Sequence, residues 1–160
     1  MEEPSRRYIL VHDRAGQVFE RNILALGLST KSTPTQVLKG ELLEALPEGE
    51  QPEDFTRIAL SGIDRKSLRL ECRTEDVARL SSEDADLLLA ISSVGLRYET
   101  FIDGKQLDFG RRLLPGSQVF VNSVPGVVWY KGDLPCTLGT MFGVELVVSI
   151  RLYLCYFQEQ

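Results

Sequence analysis

The sequence predicts a mostly β protein, a β-rich α+β fold with one or two short helices. Glycine and proline divide the C-terminal third into short runs of β-branched and aromatic residues, as in Val124–Gly132, which is typical of tightly turned strands. Upstream, Leu68–Arg73 alternates apolar and polar residues, the period of a half-buried strand. Short strands joined by turns are therefore expected over most of the chain.

The first 46 residues are predicted to hold two strands and a short helix. Arg7–His12 and Gln17–Leu26 are β-type runs, and the turn-like Asp13–Gly16 lies between them. The polar segment Ser29–Pro34 is predicted to be a turn-rich loop. Glu41–Leu46 is predicted to form one or two helical turns.

The acidic segment Pro47–Asp54 is predicted to be a flexible surface linker. Its two prolines, its glycine and its like charges oppose both hydrogen-bonded ladders and apolar burial. This boundary gives four predicted parts: a β-rich segment over 1–46, the linker over 47–54, a β-rich segment with a short helix over 55–116, and a C-terminal module over 117–160.

The third part is predicted to contain a helix and a hairpin. Ser81–Asp84 has the spacing of a capping box, and Leu87–Ile91 continues it as a short helix. Tyr98–Asp108 carries Asp103-Gly104 between two β-type runs, and Asp-Gly favours the type I′ turn of a hairpin. Pro115-Gly116 predicts the turn that leads into the C-terminal module.

Spaced glycines characterise the C-terminal module: Gly126, Gly132, Gly139 and Gly143. With Val128, Tyr130 and the run Gly143-Val-Glu-Leu146 they resemble the CAP-Gly family, which reads Gly-x-Val-x-Tyr-x-Gly and then Gly-x-Trp-x-Gly-Val-Glu-Leu. The resemblance implies a small barrel in which these glycines are structural. Met141 stands at the family's Trp position, and an atypical tail, Val147–Phe157, replaces its Gly-Lys-Asn-Asp-Gly loop.

A wider resemblance covers the four segments Ala85–Ile91, Asp103-Gly104, Pro125–Val128 and Phe142–Leu146. Together they resemble the N-terminal region of the CYLD-like, cylindromatosis-type deubiquitinases. That resemblance implies a non-catalytic interaction region of a ubiquitin carboxyl-terminal hydrolase, as a fragment or short isoform. The alternative it leaves open is a cysteine-type deubiquitinase by descent, of a family acting on isopeptide-linked and linear ubiquitin chains in NF-kappa-B signalling, inactive as this chain.

Catalytic and metal-binding chemistry finds little support in the residue types. His12 is the single histidine, so a Cys–His nucleophile needs it beside Cys72, Cys136 or Cys155. None of these cysteines lies in a motif of a ubiquitin-specific protease, and Cys72 is expected to be a buried thiol. Without Cys-x-x-Cys pairs or a phosphate-binding loop, we expect no catalytic residues, no metal and no cofactor.

Charge and hydropathy restrict the partners further. The net charge of −5 argues against a nucleic-acid surface, and the apolar tail is too short to cross a bilayer. Three cysteines without close pairs suit reduced thiols. We expect a cytoplasmic protein without nucleic-acid or membrane partners, associated with microtubules if the CAP-Gly resemblance extends to function.

Protein recognition is the function class that remains. The CAP-Gly resemblance implies binding of acidic, aromatic-ended C-terminal tails such as that of tubulin, with Trp129, Lys131 and Phe142 as the peptide-binding residues. Strand alternation predicts Val128 and Tyr130 on one face and Trp129 on the other. Tyr130 and Phe142 either fill the barrel core or contact the partner.

Overall fold

The computed structural model describes residues 6–21, 30–147 and 152–155. Within them the chain is mostly β, as predicted: two antiparallel sheets account for the strands, and the helices are short. The chain divides into two compact units, Met1–Ser81 and Ser82–Gln160.

The first unit is a seven-stranded sheet. Its strands are β1 Arg7–Leu10, β2 Arg14–Arg21, β3 Thr30–Val37, β4 Leu42–Ala45, β5 Arg57–Gly62, β6 Leu68–Arg73 and β7 Val77–Arg79, in the order β3-β2-β6-β5-β4-β1-β7. The strands predicted at Arg7–His12 and Leu68–Arg73 are confirmed. Of the run predicted at Gln17–Leu26, residues 22–26 lie outside the described residues.

Two predictions for this unit are wrong. The segment predicted as a turn-rich loop is the edge strand β3, which pairs with β2 from Thr30 to Val37; Pro34 is tolerated because an edge strand has one unpaired side. The predicted helix at Glu41–Leu46 is the strand β4. Leu42 is fully buried between β1 and β5, and this burial outweighs the weak helical preference of the sequence.

The sheet of the first unit curls onto itself. In its order, β1 and β2 are four strand spacings apart, which is about 19 Å in a flat sheet. The four Cα steps from Leu10 to Arg14 reach at most about 14 Å, so the strands must approach each other across the concave side. The short connections β3–β4 and β6–β7 also join strands four positions apart. All three connections cross the same end of the sheet, which we call the closing end.

Curling lets a single sheet enclose its own core. Residues from five of its strands form one buried cluster: Leu10, Val37, Leu43, Leu60, Leu68, Leu70 and Cys72. The edge strands β3 and β7 are not hydrogen-bonded to each other in the described part of the chain. The unit is therefore a rolled sheet rather than a closed barrel.

The acidic segment predicted as a linker lies within the first unit. It joins β4 to β5 and contains a 3-10 helix at Glu48–Glu50. The Gln51 side-chain amide donates to the carbonyls of Leu46 (2.7 Å) and Ala59 (3.0 Å) and accepts from the Ala59 N–H at 3.0 Å. The two compact units instead divide between Ser81 and Ser82.

The second unit combines three helices with a four-stranded sheet. The elements are α1 Ser82–Leu89, α2 Val94–Asp103, α3 Lys105–Arg112, β8 Gln118–Val121, β9 Val124–Gly132, β10 Met141–Leu146 and β11 Leu152–Cys155, and the sheet order is β11-β10-β9-β8. The helix predicted to follow Ser81–Asp84 is confirmed, although it ends at Leu89 rather than at Ile91, and the turn at Pro115-Gly116 is confirmed. The predicted barrel is not formed by these strands, because β8 and β11 are separate edges.

The hairpin predicted around Asp103-Gly104 is a helix–helix corner. Gly104 does adopt a positive φ, +69°, but it ends α2 by donating its N–H to the Thr100 carbonyl at 3.1 Å. A left-handed residue suits both a type I′ turn and a helix C-terminus, so the dipeptide alone does not distinguish them. The buried Arg97 and Thr100 on one side of α2 show the helical period.

Candidate functional site

Trp129 is the extra residue of a β-bulge in the second unit. In the β9–β10 pairing Tyr130 opposes Gly143 and Val128 opposes Val144, so Trp129 has no partner in β10. A bulge changes the direction of the side chains around it. Because neighbouring residues of β10 alternate between faces, Val128 and Tyr130 lie on opposite faces. The prediction that they share a face is therefore wrong.

Trp129 lies on the same face as Tyr130. A Cβ built on Gly143 would lie 3.0 Å from the Tyr130 Cβ and 3.3 Å from the Trp129 Nε1, so both side chains cross over this glycine. Gly143 leaves room for the indole, and Trp129 remains 55% exposed. The structure thus presents the single tryptophan of the chain on the sheet surface.

The outer face of this sheet carries an apolar stripe. The outer face is defined as the side of β8, β9 and β10 on which Trp129 lies. Its exposed residues are Gln118, Phe120, Pro125, Val127, Trp129 and Glu145. Phe120 is 77% exposed and Val127 37% exposed. In the strand register Phe120 opposes Pro125, and Val127 opposes Glu145. The apolar members of the stripe, Phe120, Pro125, Val127 and Trp129, make this face a candidate interaction surface.

Lys131 and Phe142 lie on the opposite, inner face. They oppose each other in the β9–β10 ladder, and the Lys131 Nζ lies 5.9 Å from the centroid of the Phe142 ring. Phe142 is only 3% exposed, so it fills the core. Of the three predicted peptide-binding residues, the structure leaves Trp129 alone on the accessible surface.

The Lys131 ammonium group is engaged inside the unit. It donates to the Glu83 Oε1 at 3.1 Å and to the carbonyls of Gly110 and Arg111, both at 3.2 Å. Carbonyls in the last turn of a helix lack intrahelical donors, and a cation there also interacts favourably with the helix dipole. Lys131 therefore joins the end of α3 to the first turn of α1.

We expect Lys131→Met to destabilise the second unit by roughly 1.5–3 kcal/mol, because it removes three charged hydrogen bonds, of which the one to the Gly110 carbonyl is partly buried. The control is Lys105→Met, at an exposed position in the first turn of α3. Urea unfolding followed by Trp129 fluorescence reports this unit. Equal stabilities of the two variants would contradict the role of Lys131.

The predicted structural glycines have identifiable contacts. A Cβ on Gly126 would lie 2.7 Å from the Val144 Cγ1, and one on Gly132 would lie 2.9 Å from the Tyr130 hydroxyl. Gly139 approaches the backbone of α1 more closely still, with 2.2 Å between such a Cβ and the Asp86 carbonyl oxygen. Close packing within the unit explains why side chains are absent at these positions.

A second cluster of polar residues, at the closing end of the first unit, was not predicted. The carboxylate of Asp76, 1% exposed, accepts hydrogen bonds from the Arg14 guanidinium, with Nε at 2.8 Å. The His12 Nδ1 lies 3.4 Å from Asp76 Oδ1. The hydrogen bonding from Arg14 lowers the pKa of the Asp76 carboxyl. Isolated polar residues between strands gave no sequence signal for this cluster.

This cluster does not activate a cysteine. Cys72 belongs to the buried core, and burial raises the pKa of its thiol to about 11. A thiol with that pKa is almost entirely protonated at neutral pH and is a poor nucleophile. Cys136 is exposed and lies in the other unit, and the side chain of Cys155 lies outside the described residues.

The described part of the chain holds no group of three or more His, Cys, Asp or Glu side chains placed to bind a metal ion. None of its helices is long and apolar enough to cross a membrane. An open depression of about 550 Å³ lies beside β2 and β3.

No protein-family model matches the chain, and neither a curated protein nor a solved structure is significantly similar to it.

Proposed function

We propose that the chain is a non-catalytic protein-recognition module whose binding surface is the outer face, with Trp129 as its principal contact. The observation that carries the proposal is the bulged, 55% exposed indole beside Val127 and Phe120. Tryptophan is among the residues that contribute most to binding at protein interfaces. An exposed sheet face of this kind suits an extended peptide segment.

The partner class we propose is a C-terminal tail that ends in an aromatic residue. This follows the CAP-Gly resemblance, which implies acidic tails such as that of tubulin, and a CYLD-like interaction region in the cytoplasm or on microtubules. The charge of the outer face does not increase the affinity for such an acidic tail. The charged residue among the exposed ones of this face is Glu145, and the Lys131 ammonium group is bound to Glu83. Contact between the terminal aromatic ring and Trp129 therefore supplies most of the affinity, which we expect to be weak.

The absence of catalysis is part of the proposal. Its support is the protonated, buried thiol of Cys72 and the pairing of His12 with Asp76. Attack on an isopeptide bond requires a thiolate as nucleophile beside an imidazole as base. Cys72 and His12 do not form such a pair.

Titration of a Glu-Glu-Tyr-ended peptide, followed by NMR, tests the binding site. We expect fast-exchange shifts at Trp129, Val127 and Gly143, and about tenfold weaker binding for Trp129→Ala. Leu114→Ala is the matched control, since Leu114 is 59% exposed in the same unit but precedes the sheet. Amidation of the peptide's terminal carboxylate should change the affinity little, whereas replacing its tyrosine by alanine should abolish binding.

Two outcomes would overturn the proposal. One is an unchanged affinity in Trp129→Ala, because the proposed contact would then contribute nothing. The other is loss of binding on amidation with shifts centred on Lys131, which would mean that the ammonium group leaves Glu83 to hold the carboxylate.

A further inference from the structure

The strand β8 presents an unpaired edge with a defined set of backbone groups. The Val128 N–H donates to the Ser117 carbonyl at 2.9 Å, and the Val128 carbonyl accepts from the Gly116 N–H at 2.6 Å, so the Ser117 carbonyl points toward β9. Hydrogen-bonded residues alternate along an antiparallel ladder, so the main-chain groups of Val119 and Val121 also point toward β9. The N–H and C=O of Gln118 and Phe120 therefore point away from the sheet.

Apart from its length of only four residues, this edge lacks the features that prevent strand pairing. Charged residues and prolines usually protect exposed edges, and the edge strand β3 of the first unit carries Lys31 and Pro34. By contrast, β8 reads Gln-Val-Phe-Val, and the whole run Leu113–Tyr130 contains no charged residue. Among the described strands, β9 alone pairs with β8.

We infer that β8 pairs with β8 of a second copy of this chain, antiparallel about a two-fold axis that passes beside Phe120. In this register Phe120 opposes Phe120 and Val119 opposes Val121 of the other copy, and the pairing ends at the turn residue Asn122, which has a φ of +50°. The outward N–H and C=O of Phe120 then meet the same groups of its counterpart, as a hydrogen-bonded pair requires.

The register is self-complementary in its side chains as well as its backbone. Directly opposed residues lie on the same face, so the two Phe120 rings meet on the outer face and the valines meet on the inner face. Phe120 is 77% exposed in one copy, and pairing buries part of its ring. The product is a continuous eight-stranded sheet, and its small interface favours an association that reverses on dilution.

Disulfide trapping tests the register. In a Cys136→Ser background, Phe120→Cys places two thiols across a hydrogen-bonded pair, where Cα atoms are about 5.5 Å apart, within the range of a disulfide. Gln118→Cys is the matched control. In this register residue 118 of one copy is offset by four residues from residue 118 of the other, which separates the two by at least about 13 Å. We expect a disulfide-linked dimer in glutathione buffer from Phe120→Cys only. Equal yields from both variants, or none from either, would overturn the inference.

Charge substitution at the two-fold axis gives an independent readout by sedimentation. The wild-type chain should show concentration-dependent dimers, whereas Phe120→Lys and Phe120→Glu should each be monomeric because like charges would oppose each other. An equimolar mixture of the two variants should form a heterodimer. A monomeric wild-type chain, or dimers that persist in both separate variants, would contradict the pairing. These outcomes are independent of peptide binding at Trp129.

Discussion

Asp76→Ala is expected to destabilise the first unit by roughly 2–3 kcal/mol, because it removes a buried carboxylate together with its charged hydrogen bonds. Asp76 is 1% exposed, and its carboxylate accepts from the Arg14 Nε at 2.8 Å and from the Arg73 N–H at 3.2 Å. The main-chain carbonyl of Asp76 also accepts a hydrogen bond from the Val11 N–H at 2.9 Å. These bonds join the β1–β2 and β6–β7 connections, so the residue holds the curled sheet together where its connections cross.

The stabilisation by Asp76 should depend on pH in a defined direction. Hydrogen bonding from Arg14 lowers the pKa of this carboxyl in the folded state below the unfolded value of about 3.9. A lowered folded-state pKa contributes stability that is complete above the unfolded pKa and is lost as the pH falls through the folded one. The first unit should therefore lose this contribution below about pH 4, and Asp76→Asn should remove that part of the pH dependence.

Urea unfolding followed by hydrogen exchange at amides of β1, β4 and β6 measures this effect, since Trp129 reports only the second unit. Glu75→Ala is the matched control: the neighbouring carboxylate pairs with Arg73 at 3.2 Å but is 69% exposed, and exposed pairs contribute little. If both variants lowered stability equally, Asp76 would not have the role described.

The strand at Leu68–Arg73 was predicted correctly because its burial alternates. Its residues face core and solvent in turn, and this period is present in the sequence itself. Thr30–Val37 lacks it because an edge strand at the surface buries little, and Glu41–Leu46 lacks it because its strand is too short. For those segments the partner strands decide the structure, and single-sequence patterns do not contain the partners.

The candidate site was predicted only in part for a similar reason. Trp129 stands out as the single tryptophan beside glycines. The bulge that places it apart from Lys131 depends on the pairing of β9 with β10, and the engagement of Lys131 depends on where α1 and α3 end. A motif specifies residue types at spacings, whereas accessibility is set by contacts between segments distant in sequence.

Gly139→Ala is expected to have the second large effect, destabilising the second unit well beyond the cost of a positive φ alone. Gly139 has a φ of +78°, and a Cβ there would lie 2.2 Å from the Asp86 carbonyl oxygen and 2.5 Å from the Ala90 nitrogen. These are backbone atoms at the end of α1, so relief requires the loop or the helix to move. The adjacent Thr140 N–H, which donates to the same Asp86 carbonyl at 2.9 Å, would be displaced with it.

Gly104→Ala separates the two causes of that effect. Gly104 has a similar φ of +69°, but nothing lies within 4 Å of the position of its Cβ, so alanine there meets only the backbone cost of roughly 1–2 kcal/mol. Gly139→Ala carries that cost and the steric clash, and we expect at least about 2 kcal/mol more. Urea unfolding monitored by Trp129 fluorescence compares the two variants directly. Equal losses would mean that the 133–140 loop yields without strain, and the glycine at position 139 would then need another explanation than its packing on α1.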